Sequence, residues 1–349
     1  MSERRLACIV AVIVWCVGCS NANNAPSGAA TRGATPLKLG MVTDVGGLGD
    51  KSFNDSAYRG LLEAKSKFGA LVTVLQSRSA ADYEPNLSTL AEQGNALVVA
   101  IGFLMHDSLN DVAPRFPQTH FAIIDSVVDQ PNVTSVTFKE EESSFLAGAL
   151  AGLVTKKNTV AFMGGIDSPL IEKFEAGYKA GVESTNPNAR VLVKYTGSFD
   201  DVAAGKEYAA VLFDQGADII YAAAGKCGLG AIDEARSRPA GYYIIGVDSN
   251  QDAIAPGKVL TSALKHVDQA VLELADQTRQ GKGGGHIVLG LKQGGVGLTD
   301  MRYTKAALPA GALGVIDRYR AMIVAGKFAV PSTPNELKAF VPVHLTPAR

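Results

Sequence analysis

From residue 37 onward, apolar runs of four to six residues alternate with stretches whose apolar positions recur every three or four. A strand covered on both faces reads as a continuous apolar run, which predicts strands at Leu37–Thr43, Val72–Gln76, Ala96–Ile101, His120–Ile124 and Val133–Phe138. A second series follows at Thr159–Met163, Arg190–Tyr195, Asp218–Ala222, Tyr242–Val247 and Leu260–Ala263, with one more strand at Ile287–Leu291 after a glycine turn. Helical spacing predicts helices over Ser56–Phe68, Tyr83–Gln93, Ser144–Thr155, Ile171–Ser184 and Gly205–Gln215. Strands alternating with helices imply an α/β chain of parallel sheets covered on both faces. The two series also resemble each other. Phe121-Ala-Ile-Ile-Asp125-Ser126 closes the fourth strand of the first, and Tyr243-Ile-Ile-Gly-Val-Asp248-Ser249 the fourth of the second. The repeat predicts two Rossmann-like lobes that face one cleft, each offering an Asp-Ser at the same strand end. Crossings are expected near Lys139–Glu142, Lys265–Val267 and Gly294–Thr299. Three crossings make a hinge, with 37–139 plus 266–296 in the first lobe and 140–265 plus 297–349 in the second.

The N-terminus is read apart from the fold. Arg4 and Arg5 precede a continuous apolar run from Leu6 to Val17, too short for a comfortable membrane span, and the run closes on Gly18-Cys19-Ser20. A small residue before a cysteine at that place resembles the lipobox of bacterial lipoproteins. Residues 1–18 are then a signal peptide, Cys19 carries lipid and a bilayer is a partner. Residues 19–36, mostly Asn, Ala, Ser, Gly, Thr and Pro, hold no large apolar side chain and read as a flexible tether. Of four cysteines only Cys227 remains in the folded part, which rules out an internal disulfide.

Charge narrows the partners. Lys and Arg number 33 against 34 Asp and Glu, with no basic cluster, so no nucleic acid is expected. Zinc-protease, paired-cysteine and nucleophile-elbow motifs are absent, and Gly225-Lys-Cys-Gly228-Leu-Gly230 has the wrong spacing for a dinucleotide loop. The chain reads as no enzyme, without metal or cofactor, acting as a monomer. Its most informative stretch is the loop that follows the first strand, Asp44-Val-Gly46-Gly47-Leu-Gly49-Asp50-Lys-Ser52-Phe53-Asn54. Open α/β sheets bind ligands at the carboxyl ends of their strands. A carboxylate, an amide and an aromatic face there suit a neutral, polar, flat ligand. Glu140, Glu141 and Glu142 read as a solvated helix start.

These segments together resemble the basic-membrane-protein family of substrate-binding lipoproteins. The likeness rests on Thr43–Gly47, Asp50–Asn54, Ile124-Asp125-Ser126, Glu142–Gly148, Ile171–Tyr178, Tyr195–Asp200 and Ala222–Gly230. It implies the fold of type I periplasmic binding proteins and a purine-nucleoside receptor (adenosine, guanosine, inosine) that feeds the permease of an ABC importer. By the same resemblance Phe53 and Phe199 clamp the base, one from each lobe. Asn54 offers a donor and an acceptor to the base edge, and Asp125 accepts from a ring N–H. Asp248 accepts from vicinal ribose hydroxyls, Lys265 donates to a sugar oxygen, Asp44 serves either end, and Gly225 lets backbone approach the ligand. Phe174 is a rim candidate whose register with Tyr178 favours the core. Lys226 and Cys227 stand where the family has small uncharged residues; a lysine beside the cleft would admit a more acidic or more oxygen-rich ligand, and one pointing into solvent would leave the ligand unchanged. The alternatives are a receptor of the same fold for a sugar or carboxylate, or a surface sensor.

Overall fold

The computed structural model describes residues 36–345; the signal segment, Cys19 and the tether up to residue 35 lie outside the described residues. Strands β1 (Lys38–Thr43), β2 (Leu71–Gln76), β3 (Leu97–Ile101), β4 (His120–Ile124) and β5 (Val133–Phe138) alternate with helices α1 (Phe53–Phe68), α2 (Tyr83–Glu92) and α3 (His106–Val112). Helix α4 (Glu140–Val154) opens a second series: β6 (Thr159–Gly164), α5 (Pro169–Thr185), β7 (Arg190–Tyr195), α6 (Val202–Asp214), β8 (Ile219–Ala223), α7 (Cys227–Ser237), β9 (Tyr243–Asp248) and β10 (Val259–Lys265). The chain continues through α8 (Val267–Arg279), β11 (Gly285–Leu289), β12 (Val296–Leu298), α9 (Ala312–Val324) and α10 (Pro334–Ala339).

The strands form two six-stranded sheets, ordered β11-β5-β4-β3-β1-β2 and β12-β10-β9-β8-β6-β7. Every pairing is parallel except β10 with β12. Strand order reverses between β1 and β3 in the first sheet and between β6 and β8 in the second. A crevice opens beyond the strand ends at such a switch point. This is the two-lobed fold of periplasmic binding proteins. Both predicted series of strands are present. Several helices start earlier than their apolar spacing shows, because their first turns are polar. Helix α1 begins at Phe53, and its free N–H groups are taken by Asp50, which accepts from the backbone of Ser52 (2.9 Å), Asn54 (2.8 Å) and Asp55 (3.1 Å).

Helices α4 and α5 meet backbone to backbone. A Cβ on Gly148 would stand 2.0 Å from the carbonyl oxygen of Tyr178, and one on Gly181 2.0 Å from that of Phe145. Real Cβ atoms do not approach so closely, so only glycine permits the contact. The contact fixes the first turn of α4 beside α5.

The chain passes between the lobes at Phe138–Glu140, at Lys265–Val267 and between Leu289 and Val296. The third passage sits earlier than Gly294–Thr299, because β12 already pairs with β10 from Val296. The crossings are tied side by side: Lys139 N–H donates to Leu289 O (3.0 Å) and His266 N–H to Gly295 O (2.8 Å). Glu142 accepts from Leu291 N–H at 2.6 Å. The acidic run is therefore no solvated helix start. Glu140, Glu141 and Glu142 are 1%, 8% and 9% exposed, held under the crossings by the close packing of α4.

Candidate ligand-binding cleft

Between the lobes lies a cleft of about 540 Å³ of atom-free space, part of it open to solvent. Asp44, Phe53, Asn54, Asp125, Phe199, Gly225, Asp248 and Lys265 all line it. The sequence thus singled out eight side chains and backbone positions that the fold brings to one place. Asp44 follows β1, Asp125 follows β4 and Asp248 ends β9. The two last adopt left-handed backbone, φ 69° and 61°, a region in which Asp and Asn are several-fold enriched among non-glycine residues.

Phe53 and Phe199, the expected pair, both line the cleft, and Phe103 lines it with them. The ring that touches Phe199 across the cleft is Phe103, edge-on, with centroids 6.4 Å apart and planes at 86°. Phe53 lines the same space, 4.7 Å beneath the ammonium of Lys265. Phe199 is seated on glycine: a Cβ on Gly165 would lie 2.2 Å from its Cε1, and one on Gly225 3.0 Å from its carbonyl oxygen. Gly225, at φ 55°, thus makes room for Phe199 as well as lining the cleft. Phe174 is both core and lining, 4% exposed and 5.5 Å from Lys265 Nζ. Lys226 and Cys227 do not line the cleft; Cys227 packs in the second lobe's core and donates its thiol to Ser198 O.

Residues 37–308 match the Bmp family, described as ABC transporter substrate-binding protein PnrA-like. The chain belongs to this family. Over 328 residues, 88% of this chain and 92% of its relative, it is 38% identical to the ABC transporter nucleoside-binding protein BmpA of Lactococcus lactis subsp. cremoris. It is 34% identical over 311 residues to Basic membrane protein A1 of Borrelia garinii subsp. bavariensis, covering 87% of this chain and 91% of that one. A crystal structure of an ABC transporter solute-binding protein from Aeropyrum pernix K1 superposes with a TM-score of 0.78 at 29% identity, covering 87% of this chain and 96% of that chain. The Bmp chain is an ABC transporter substrate-binding protein, which places it outside the cytoplasm at a membrane, with a ligand and a permease as partners. No helix among the described residues is long and apolar enough to cross a membrane.

Charge in the Bmp cleft is concentrated around one lysine. Lys265 Nζ, 3% exposed, donates to Asp125 Oδ2 at 2.6 Å and stands 3.6 Å from Glu140 Oε1 and 3.8 Å from Asp248 Oδ1. Lys173 backs this group from α5, bonded to Phe138 O and Glu140 and 3.6 Å from Glu141. Four buried carboxylates thus face two ammonium groups. Burial raises the Asp125 pKa to about 7 against the pull of Lys265, and raises Glu141 to about 7 against Lys173. Burial also raises Asp248. It works against the charge on Lys265, but Asp125, Asp248 and Glu140 outweigh it and hold that pKa above the ordinary lysine value. Asp125 Oδ1 and Glu140 Oε1 have no hydrogen-bond partner.

Near Asp248 the lobes also touch directly. Ser52 Oγ donates to Asp248 Oδ2 (2.7 Å), Ser249 Oγ donates to Ser52 O (2.9 Å) and Gln251 donates to Lys51 O (3.1 Å). Sequence reasoning passed over Phe103, Ser52 and Glu140. Phe103 had a signal: Gly102-Phe103 directly follows β3 at the switch point, where the strand-end rule points.

Proposed function

We propose that this protein captures a purine nucleoside between its lobes and delivers it to an ABC importer, held at the membrane by lipid on Cys19. The observation that carries this reading is the pairing of aromatic rings from both lobes with carboxylates at both strand ends, Asp125, whose Oδ1 has no partner, and Asp248. A flat base lies against Phe53, Phe103 and Phe199, while vicinal ribose hydroxyls donate to the carboxylates and Lys265 donates to a sugar oxygen. A carboxylate or phosphate ligand fits poorly, since Lys265 is the single cation in a lining that holds Asp44, Asp50, Asp125 and Asp248. The name of the Lactococcus lactis relative supports a nucleoside. The edge-on contact of Phe103 with Phe199 favours a second reading, a sugar, because those two rings do not lie parallel to each other.

Isothermal titration of residues 20–349, refolded to strip carried-over ligand, separates the two. Submicromolar purine-nucleoside binding with free ribose silent supports the receptor; binding of sugars alone sinks it. Phe199→Ala is expected to weaken nucleoside affinity about tenfold or more, as one lost stacking partner implies, and unchanged affinity removes the aromatic clamp. The anchor has its own check: Cys19→Ser should move the protein from the membrane fraction to the soluble one, and a variant that stays membrane-bound refutes lipidation at this cysteine.

A further inference from the structure

One lysine reaches the hinge from outside the cleft. Lys173 on α5 does not line the ligand space, and its side chain is 25% exposed. Its Nζ donates to Phe138 O and to Glu140 Oε2, each at 2.5 Å, and stands 3.6 Å from Glu141 Oε2. Phe138 ends β5, so a lysine of the second lobe takes the last carbonyl of a first-lobe strand. Glycine sets this reach. A Cβ on Gly177 would lie 2.3 Å from Glu141 O, so α5 can rest on the first turn of α4 only where it has no side chain. Lys173 lies one turn before Gly177 on the same face, with its side chain leaning toward the start of the helix. Burial works against the charge on Lys173, but Glu140 and Glu141 outweigh it and hold its pKa above the ordinary lysine value.

That cation settles Glu140. The two oxygens of this buried carboxylate meet different lysines: Oε2 accepts from Lys173, while Oε1 stands 3.6 Å from Lys265 Nζ without a hydrogen-bond partner. Lys265 donates instead to Asp125 at 2.6 Å and faces Asp248 at 3.8 Å, and both of these line the cleft, as Glu140 does not. A buried charge that loses its partner is strongly unfavourable. Without Lys173 the pull of Glu140 would therefore fall on Lys265 alone. The ammonium would need to move only about 1 Å toward Oε1 to reach the usual charge-assisted bond length, and it would leave Asp125 in doing so.

We infer that Lys173 is a positioning residue for ligand capture: by holding Glu140 it leaves the Lys265 ammonium at the cleft, bonded to Asp125 and facing the ligand. Lys173 does this without touching the ligand. The inference rests on the reading of Lys265 as a donor to a nucleoside's sugar, and it names the group that keeps this donor in place.

The test is titration with adenosine, read beside nitrogen-15 spectra of the lysine side chains in the ligand-free protein. Lys173→Met, similar in length but uncharged, should weaken adenosine binding roughly tenfold or more, because a hydrogen bond from a charged donor is at stake. Adding Glu140→Gln to Lys173→Met removes the competing charge and should restore most of that affinity. A lysine that merely props α5 against α4 would show no such rescue. Lys173→Gln, which keeps an N–H donor without the charge, should show the same loss and the same rescue, and it serves where Lys173→Met does not fold. The ammonium signal of Lys265, identified by its absence from Lys265→Arg, should shift in Lys173→Met and return in the double variant. Unchanged affinity in Lys173→Met, a loss that Glu140→Gln does not restore, or a Lys265 signal that stays in place overturns the positioning role. Silence of the unaltered protein toward adenosine overturns the nucleoside reading instead, and the Lys265 signal then decides this inference by itself.

Discussion

Lys265→Met is expected to lower stability by about 3–5 kcal/mol at pH 8, the usual cost of stripping one partner from a buried charge group, and to abolish measurable ligand binding. Asp125, Glu140 and Asp248 would stand together without the ammonium that now lies 2.6–3.8 Å from them. The deficit should depend on pH with a definite sign. Burial already raises Asp125 and Asp248, and losing the cation raises them further. A carboxyl whose folded-state pKa exceeds its unfolded value contributes stability at low pH that is lost as pH rises through the folded value. The variant should therefore recover toward the parent between pH 8 and pH 5.5, as these carboxyls take up protons. Urea melts at both pH values check this. Parent-like stability at pH 8, or a deficit equal at both pH values, would show that Lys265 does not neutralise the hinge.

That experiment bears on residues whose grouping was only half visible in the sequence. The strands were legible because each is a buried apolar run, and Asp125 and Asp248 because each closes such a run in a repeated pattern. The first turns of the helices were not, since a polar first turn breaks the apolar spacing. Glu140 shows the consequence. Three successive glutamates read as a solvated face, yet α4 is drawn so close to α5 by Gly148 and Gly181 that its first turn is sealed under the crossings. Such contacts depend on backbones far apart in sequence, and local spacing carries no trace of them. Phe103 was half visible: its place directly after a predicted strand was a signal, but that this strand end lies at the switch point becomes known only when β3 is found beside β1. For Lys226 the sequence left two placements open, beside the cleft or toward solvent, because proximity in sequence to Gly225 does not put a side chain in the cleft when a helix starts at the next residue.

Asp248→Asn should separate binding from stability at this hinge. The backbone there is left-handed, φ 61°, which asparagine adopts about as readily as aspartate. Ser52 Oγ, 2.7 Å from the present carboxylate, can donate to the amide oxygen instead. Lys265 keeps Asp125 and Glu140 as partners. The substitution thus removes one negative charge from a group in which four carboxylates face two lysines, and folding stability at pH 7.5 should stay level or rise. Ligand affinity should fall, since the remaining oxygen faces Ser52 and an N–H₂ group stands where the proposed ligand's hydroxyls would meet a carboxylate oxygen. A hydrogen bond to a charged group contributes about 1.5–3 kcal/mol, which corresponds to roughly a ten- to hundredfold weaker Kd. Titration and urea melts on one preparation test both halves. Undiminished affinity would take Asp248 out of the ligand site. Stability and affinity falling together would make it a structural member of the hinge, with its charge held for the lobes rather than for the ligand.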